Sequence, residues 1–283
     1  MRKLRAIDKY LAHYALLPNG CPKINGHWQH VLVIPCYAES PEFIGSLGER
    51  LKNSSLLLVL VINRPLSSAE NVNQAVRDYL FRMPTETLQP GYVLHQISEC
   101  CSILCIDLEV LEGVTPCEQG VGRARRVGCD TALKLIYRGT VLSRWICSAD
   151  ADAEWPASLF SSSWPSEASA ISLPFMHRAE CGDDVSVATL IYELKLHHYV
   201  LHLQTIDSPY AFHSLGSSCV FNSDAYAAVR GVPLRNAAED FYLLNKLAKI
   251  GPVHTAGGVG VTIASRRSNR VPFGTGPAVG KLL

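Results

Sequence analysis

Short runs of apolar residues recur along the first half of the chain, separated by segments long enough to form helices. The runs show no alternation of polar and apolar residues, which is typical of strands buried on both faces of a parallel sheet. Helices that alternate with such strands cover both faces of the sheet. The pattern therefore predicts an α/β fold, with strands near residues 30–36, 56–63, 102–109, 144–152 and 168–175.

The composition excludes several classes of protein. Hydrophobic residues make up 48% of the chain and charged residues 18%, as in a compact globular protein. The formal net charge of +1 argues against a nucleic-acid partner. No apolar run approaches the roughly 20 residues of a membrane span, and Asp8, Lys9 and His13 interrupt the apolar N-terminal segment. With no export signal, the ten scattered cysteines are expected to be reduced and the location to be cytoplasmic.

Two pairs of acidic residues are the main candidates for chemistry. Asp150 and Asp152 follow a buried strand, at the sheet edge where ligands collect, and such carboxylates suit Mg²⁺ or Mn²⁺ that also holds phosphates. Glu239 and Asp240 open a predicted helix and offer a carboxylate that can take a proton from a hydroxyl. The alternatives are a solvated acidic turn for the first pair and a complement to the helix dipole for the second.

Two arginine clusters are candidates for phosphate binding. One lies among glycines at the start of a predicted helix and comprises Arg123, Arg125 and Arg126. The other precedes a Gly-rich stretch in the tail and comprises Arg266, Arg267 and Arg270. An ordinary surface helix and a solvated terminus are the respective alternatives. If the second cluster acts on a ligand, it would fold over a diphosphate as a lid.

Polar residues at the ends of the first two strands are candidates for holding a nucleobase or ribose. Tyr37 and Glu39 follow Pro35 at the end of the first strand, and Asn63 ends the second. Residues that merely form turns after a strand are the alternative interpretation. The histidines of the HHxxxH pattern at 197–202 have no neighbouring H-E-x-x-H signature, so packing or surface positions are expected for them.

Taken in order, four segments resemble the motifs of GT-A glycosyltransferases of the family 2 type. They are VIPCYAES at 33–40, GRARRVGCDTAL at 122–133, ICSADADAEWP at 146–156, with its DxD motif, and GSSCVFNSDAYAAVRGVPLRNAAEDFYLLNKL at 216–247. The resemblance spans about residues 30–275. It implies one Rossmann-like GT-A domain over residues 1–283. Within it, about 30–150 form the nucleotide-sugar half, about 151–265 an acceptor half of α+β character, and 266–283 a flexible basic tail.

The resemblance implies a soluble, metal-dependent transferase of the hexosyltransferase type, which moves a sugar from a nucleotide-diphospho-sugar to an acceptor hydroxyl with inversion. Asp150 and Asp152 would hold Mg²⁺ or Mn²⁺, and Asp240 or Glu239 would take the proton of the acceptor. The residues expected to bind the nucleotide-sugar are Pro35, Tyr37, Glu39, Asn63, Arg125, Asp150, Arg267 and Arg270. The acceptor and the oligomeric state have no signature in the sequence.

The chain departs from that family pattern at several positions. Asn63, Arg64 and Pro65 stand where Asp-Asp-Gly-Ser is usual, and Ala38 replaces the usual Asn before Glu39. The Gln-x-x-Arg-Trp motif of processive synthases is missing, which favours a single addition. Two other functions remain open: a sugar-phosphate nucleotidyltransferase, which usually has a Gly-rich loop after the first strand, and a non-catalytic protein that binds nucleotide-sugars.

Overall fold

The computed structural model describes residues 2–178, 183–266 and 275–283. In these ranges nine strands form a central sheet: β1 His30–Cys36, β2 Leu56–Ile62, β3 Thr85–Gln89, β4 Tyr92–Gln96, β5 Cys101–Asp107, β6 Trp145–Ser148, β8 Ala170–Ser172, β10 Cys219–Asn222 and β11 Val253–Thr255. A smaller sheet contains three strands: β7 Ala153–Glu154, β9 Phe175–Arg178 and β12 Val261–Ala264.

The strands of the central sheet lie in the order β11-β8-β10-β6-β1-β2-β5-β4-β3. β1 runs parallel to β2 and to β6, and β2 runs parallel to β5. Among the described strands of this sheet, β4 and β10 run antiparallel to both of their neighbours. The carboxyl ends of β6, β1, β2 and β5 therefore meet at one edge, where α/β proteins bind ligands.

Helices cover both faces of the central sheet. The α-helices of the described ranges are α1 Arg2–His13, α2 Glu42–Leu51, α3 Gln74–Phe81, α4 Leu108–Glu112, α5 Gly120–Tyr137, α6 Asp184–Thr205, α7 Ser223–Ala228, α8 Glu239–Ala248 and α9 Thr275–Gly280. None of them, within the described ranges, is both long and apolar enough to traverse a lipid bilayer. The predicted α/β class, a mostly parallel sheet flanked by helices, is confirmed.

The alternation of side chains along β1 explains why its sequence is apolar throughout. Val31 and Val33 pack in one core together with Leu135 of α5. Leu32 and Ile34 point to the opposite face and pack in a second core with Leu47 of α2. Successive residues of a strand face opposite sides, so burial of both faces requires an uninterrupted apolar run.

Two regions differ from the sequence expectation. The hairpin of β3 and β4 was not predicted, because the β3 residues are polar and mostly exposed at the edge of the sheet. In the tail predicted to be flexible, residues 275–280 form α9, whose Val279 is fully buried. This helix packs against α6, so this part of the tail is packed rather than flexible.

Candidate active site

A proline inside the central strand β1 opens the edge of the sheet between β1 and β6. The ladder between these strands ends where the Ala149 amide donates to the Val33 carbonyl (2.9 Å). The next residue of β1 on that side is Pro35, which has no N–H to donate to β6. The Ala149 carbonyl accepts a hydrogen bond from Arg125 Nη1 instead (3.3 Å). Pro35 therefore lies at the predicted site and shapes it through its backbone.

Arg125, on α5, is the centre of the site and is almost completely buried, with its side chain 2% exposed. Its Nη2 donates to Asp150 Oδ1 (2.6 Å) and its Nε donates to Glu239 Oε1 (2.9 Å). Its Nη1 donates to Ser148 Oγ (2.6 Å) and to the Gly216 carbonyl (3.1 Å). The guanidinium thus joins the first acidic pair to the second through charge-assisted hydrogen bonds.

Asp240 is half-buried beside this centre at the start of α8. Its Oδ2 accepts a hydrogen bond from the Gly216 amide (2.6 Å), and its Oδ1 accepts one from the Phe241 amide (2.7 Å). Burial, and after it the negative charge of Glu239, raises the pKa of Asp240 to about 7. A carboxylate with a pKa near neutrality is suited to accept a proton at physiological pH. Asp240 has the properties of a general base, whereas Glu239 is 3% exposed and bound by Arg125.

Arg266 links the ends of β1 and β6 across the same edge. Its Nη1 and Nη2 donate to Glu39 Oε2 (2.9 Å) and Oε1 (3.0 Å), and its Nη2 also lies 2.6 Å from Asp152 Oδ2. Arg266 belongs to the tail cluster but was not among the residues expected to bind the nucleotide-sugar. Arg267 and Arg270, the two tail arginines expected to do so, lie outside the described residues.

The predicted nucleobase residues lie at the ends of β1 and β2, as expected. Tyr37 Oη shares a hydrogen bond with Ser68 Oγ (2.7 Å). Asn63 is 2% exposed, and its Oδ1 has no hydrogen-bond partner among the described residues. Asn73 Nδ2 donates to the Asn63 carbonyl (2.9 Å) and so fixes the end of β2. A buried amide oxygen without a partner is rare and suits an N–H donor of a ligand.

Two arginines of the first cluster lie away from this centre. Arg123 donates to Gln119 and Glu112, and Arg126 donates to the buried Asp130 and to backbone carbonyls. Asp130 also accepts hydrogen bonds from Tyr10 and Tyr226. These contacts hold α5 against its neighbours, so the cluster divides into one central residue, Arg125, and two that secure the helix.

Gly216 and Ser148 take part in the centre but were not identified as site residues. A Cβ atom at Gly216 would lie 2.7 Å from Arg125 Nη2 and 3.2 Å from Asp240 Oδ2. The close approach of guanidinium and carboxylate therefore requires glycine at this position. The sequence signal was the glycine that opens the GSS segment before β10, but a sequence does not show which side chains approach it.

The described side chains around Arg125 and Arg266 carry more carboxylates than guanidinium groups, and such a surplus of negative charge favours the binding of a metal cation. Around Arg125 and Arg266, the described residues place five carboxylates, those of Glu39, Asp150, Asp152, Glu239 and Asp240. Among the described residues no group of three His, Cys, Asp or Glu side chains is arranged to hold a metal ion. Mg²⁺ and Mn²⁺ commonly bind one or two carboxylates together with substrate phosphates and water. Asp150 and Asp152, in an excess of negative charge, fit that mode of binding.

Ala38, between Tyr37 and Glu39, has a left-handed backbone with φ of 53°. This conformation costs an alanine roughly 1–2 kcal/mol, whereas glycine adopts it freely. We expect Ala38→Gly to raise the free energy of unfolding by about 0.5–1 kcal/mol in urea denaturation. The matched control is Ala75→Gly on the exposed face of α3, which should lower it by up to about 1 kcal/mol. Equal losses for both variants would contradict the strain at Ala38.

The chain matches no protein-family model and no curated protein. Among solved structures it is similar to the mannosyltransferase PcManGT from Pyrobaculum calidifontis, determined in complex with GDP-Man and Mn²⁺. The two share 17% sequence identity and align with a TM-score of 0.46, over 93% of this chain and 63% of the other. The chain thus spans less than two thirds of the length of that protein. A likeness of this extent assigns no activity to the chain.

Proposed function

We propose that the chain is a glycosyltransferase that moves a sugar from a nucleotide-diphospho-sugar to an acceptor hydroxyl. The observation that carries the proposal is the joining of Asp150 to Glu239 by Arg125, with Asp240 beside them at the carboxyl edge of a parallel sheet. Arg125 thus connects a carboxylate proposed for the diphosphate side to the acidic pair that contains the proposed base. A direct displacement needs the leaving diphosphate and the acceptor hydroxyl to be held on either side of one anomeric carbon, so the two groups must lie close together.

The donor would lie across the edge between β6, β1 and β2. Asn63 and Tyr37 would contact the nucleobase or ribose, and Arg266 joins Glu39, beyond the end of β1, to Asp152. Asp150 and Asp152 would hold Mg²⁺ or Mn²⁺. When bound, the ion neutralises charge on the departing nucleoside diphosphate. Asp152 is paired with Arg266 Nη2. If Asp152 turned to the ion, the Nη2 group could pair with a phosphate while Arg266 stays bound to Glu39.

Asp240 would act on the acceptor. Its carboxylate takes the proton of the acceptor hydroxyl as the oxygen forms a bond to the anomeric carbon, and the bond from that carbon to the diphosphate oxygen breaks with both electrons on the leaving group. The proton ends on Asp240 and the negative charge on the nucleoside diphosphate. A single displacement of this kind, with attack opposite the leaving group, inverts the configuration of the anomeric carbon.

A nucleotidyltransferase is less consistent with the same geometry. Such enzymes use a Gly-rich loop after the first strand to hold the triphosphate. Here β1 connects to α2 through residues 37–41, which contain no glycine and carry Glu39. A carboxylate at that position would repel a triphosphate rather than bind it.

Donor binding tests the proposal. We expect Mn²⁺ together with one member of a panel of UDP-, GDP- and ADP-sugars to raise the melting temperature. At 100 times the dissociation constant, a ligand stabilises by about 2.7 kcal/mol, which is readily measured. Asp152→Ala should remove the effect of the ion, whereas Asp78→Asn, an exposed aspartate on α3, should retain it. Unchanged melting temperatures across the whole panel with metal would overturn the proposal.

The pH dependence of the reaction should report Asp240. Because its pKa is raised to about 7 by burial and by Glu239, the carboxyl group is protonated below that pH and cannot accept a proton. We expect kcat/KM to fall about tenfold per pH unit below about pH 7. The measurement is a profile from pH 5 to 9 with the donor identified by the melting assay. A rate independent of pH over 5–7 would contradict the role of Asp240.

A further inference from the structure

An open cavity lies next to the candidate base, with Phe241 and Leu215 among its lining residues. Its volume is about 340 Å³, and its wall is formed by α6, by the loop at 208–215 and by α8. Besides Phe241 and Leu215, the aliphatic and aromatic residues of the wall are Leu196, Tyr199, Val200, Leu203, Tyr210 and Phe212. A cavity of this volume is at the lower end of the range that binds small organic molecules.

Residues that line the cavity are next in sequence to Asp240 and to the residue that donates to it. Phe241, which lines the cavity, directly follows Asp240, and Leu215 directly precedes Gly216, whose amide donates to Asp240 Oδ2 (2.6 Å). Neighbouring Cα atoms lie about 3.8 Å apart, so one lining residue is that close to Asp240 and another is that close to Gly216. A molecule held in the cavity would present a group at its rim to Asp240.

The described lining of the cavity carries no charge at neutral pH. The polar residues among those that line it are two serines, Asn245 and His213. Burial, and after it the proximity of His197, lowers the pKa of His213 to about 4, so this ring is neutral. The polar groups of an oligosaccharide or a charged acceptor that face this wall would find few partners there, which costs free energy for each group that leaves water. The wall suits a hydrocarbon ring with few polar substituents.

We propose that this cavity holds the apolar part of the acceptor, and that the acceptor is an uncharged alcohol or phenol whose hydroxyl is carried by a hydrocarbon ring or chain. The inference rests on the proposed glycosyl transfer and names the acceptor class of that site. A soluble phenol and the hydroxyl of a membrane lipid share this chemistry. α6 also exposes Leu194 and Leu201, which do not line the cavity and extend the apolar surface beyond it.

The test measures acceptor binding apart from donor binding. The probes are 2-naphthol in solution, diacylglycerol in phosphatidylcholine vesicles, and glucose as a hydrophilic comparison, each titrated into the donor-bound protein by calorimetry. Leu203→Trp fills the cavity from α6 and Leu203→Glu places a charge in it. The matched controls are Leu201→Trp and Leu201→Glu, two residues away at an exposed position that does not line the cavity.

We expect 2-naphthol or the diacylglycerol vesicles to bind, with at least tenfold weaker binding to both Leu203 variants and unchanged binding to both controls. Binding of 2-naphthol identifies a soluble acceptor, and binding of the vesicles alone identifies a lipid. Binding of glucose in preference to either, or equal binding by the Leu203 variants and the wild type, would overturn the assignment. The melting assay separates the two claims. If nucleotide-sugars bind and apolar alcohols do not, the cavity assignment fails alone, whereas absence of donor binding removes the proposed function itself.

Discussion

Asp240→Asn lowers the rate of sugar transfer by about 10²–10⁴-fold, the range typical of a lost general base, and leaves donor binding intact. The amide cannot accept the proton of the acceptor hydroxyl. It can still accept the hydrogen bond that Asp240 Oδ2 receives from the Gly216 amide (2.6 Å), so the local backbone is retained. The measurement is single-turnover transfer at saturating donor, with donor affinity determined separately by calorimetry.

Asp78→Asn is the matched control for this substitution. Asp78 is an exposed aspartate on α3 that accepts a hydrogen bond from Gln74 (2.8 Å), and the same change there should leave the transfer rate unaltered. The acid limb of the pH profile should disappear together with the activity in Asp240→Asn. A variant that keeps its activity within tenfold of the wild type, with the pH profile unchanged, would show that another group takes the proton.

Arg125→Met destabilises the fold by about 3–5 kcal/mol, as expected when one partner of a buried ion pair is removed. The substitution removes the guanidinium that donates hydrogen bonds to Glu239 Oε1 and Asp150 Oδ1. For a chain of this length the melting temperature should fall by roughly 10 °C. Since the charge of Arg125 also lowers the pKa of Asp240, that pKa should rise further in the variant.

The control for Arg125→Met lies two residues away on the same helix. Arg123 donates to Gln119 and Glu112 near the surface, where ion pairs contribute about 0–1 kcal/mol, so Arg123→Met should cost no more than that. A double-mutant cycle of Arg125→Met with Glu239→Gln isolates the pair. We expect a coupling energy of at least about 1 kcal/mol because the two groups are in contact. Independent, additive effects would mean that the contact between Arg125 and Glu239 contributes nothing to stability.

The sequence predicted the α/β fold because burial on both faces of a parallel sheet leaves a strong signal. β2 is apolar throughout and β1 is apolar after His30, as is typical of strands buried on both faces of a parallel sheet. The β3–β4 hairpin has no such signal, since β3 is exposed at the edge of the sheet. Strands at the edge of the sheet and elements near the ends of the chain depend on contacts with residues distant in sequence, and the local pattern of polar and apolar residues gives no sign of these contacts.

The candidate site was predictable in its parts and not in its connections. Asp150, Asp240 and Arg125 each belong to a motif with a chemical reason for its residue types. That Arg125 joins Asp150 to Glu239 is set by the packing of α5 under β6 and α8, which brings together residues 25 and 114 positions apart. Arg266 and Gly216 act through long-range contacts of the same kind. Neither the bridge from Glu39 to Asp152 nor the glycine beside the guanidinium follows from spacing.

The most direct test of the account is product analysis. The protein is incubated with Mn²⁺, each nucleotide-sugar of the UDP, GDP and ADP series, and a mixture of alcohol and sugar acceptors, and mass spectrometry follows both the nucleoside diphosphate and the mass of one sugar added to an acceptor. We expect one donor to give both products in equal amounts and Asp240→Asn to give neither. Release of pyrophosphate from a nucleoside triphosphate and a sugar phosphate, with no sugar added to any acceptor, would contradict it.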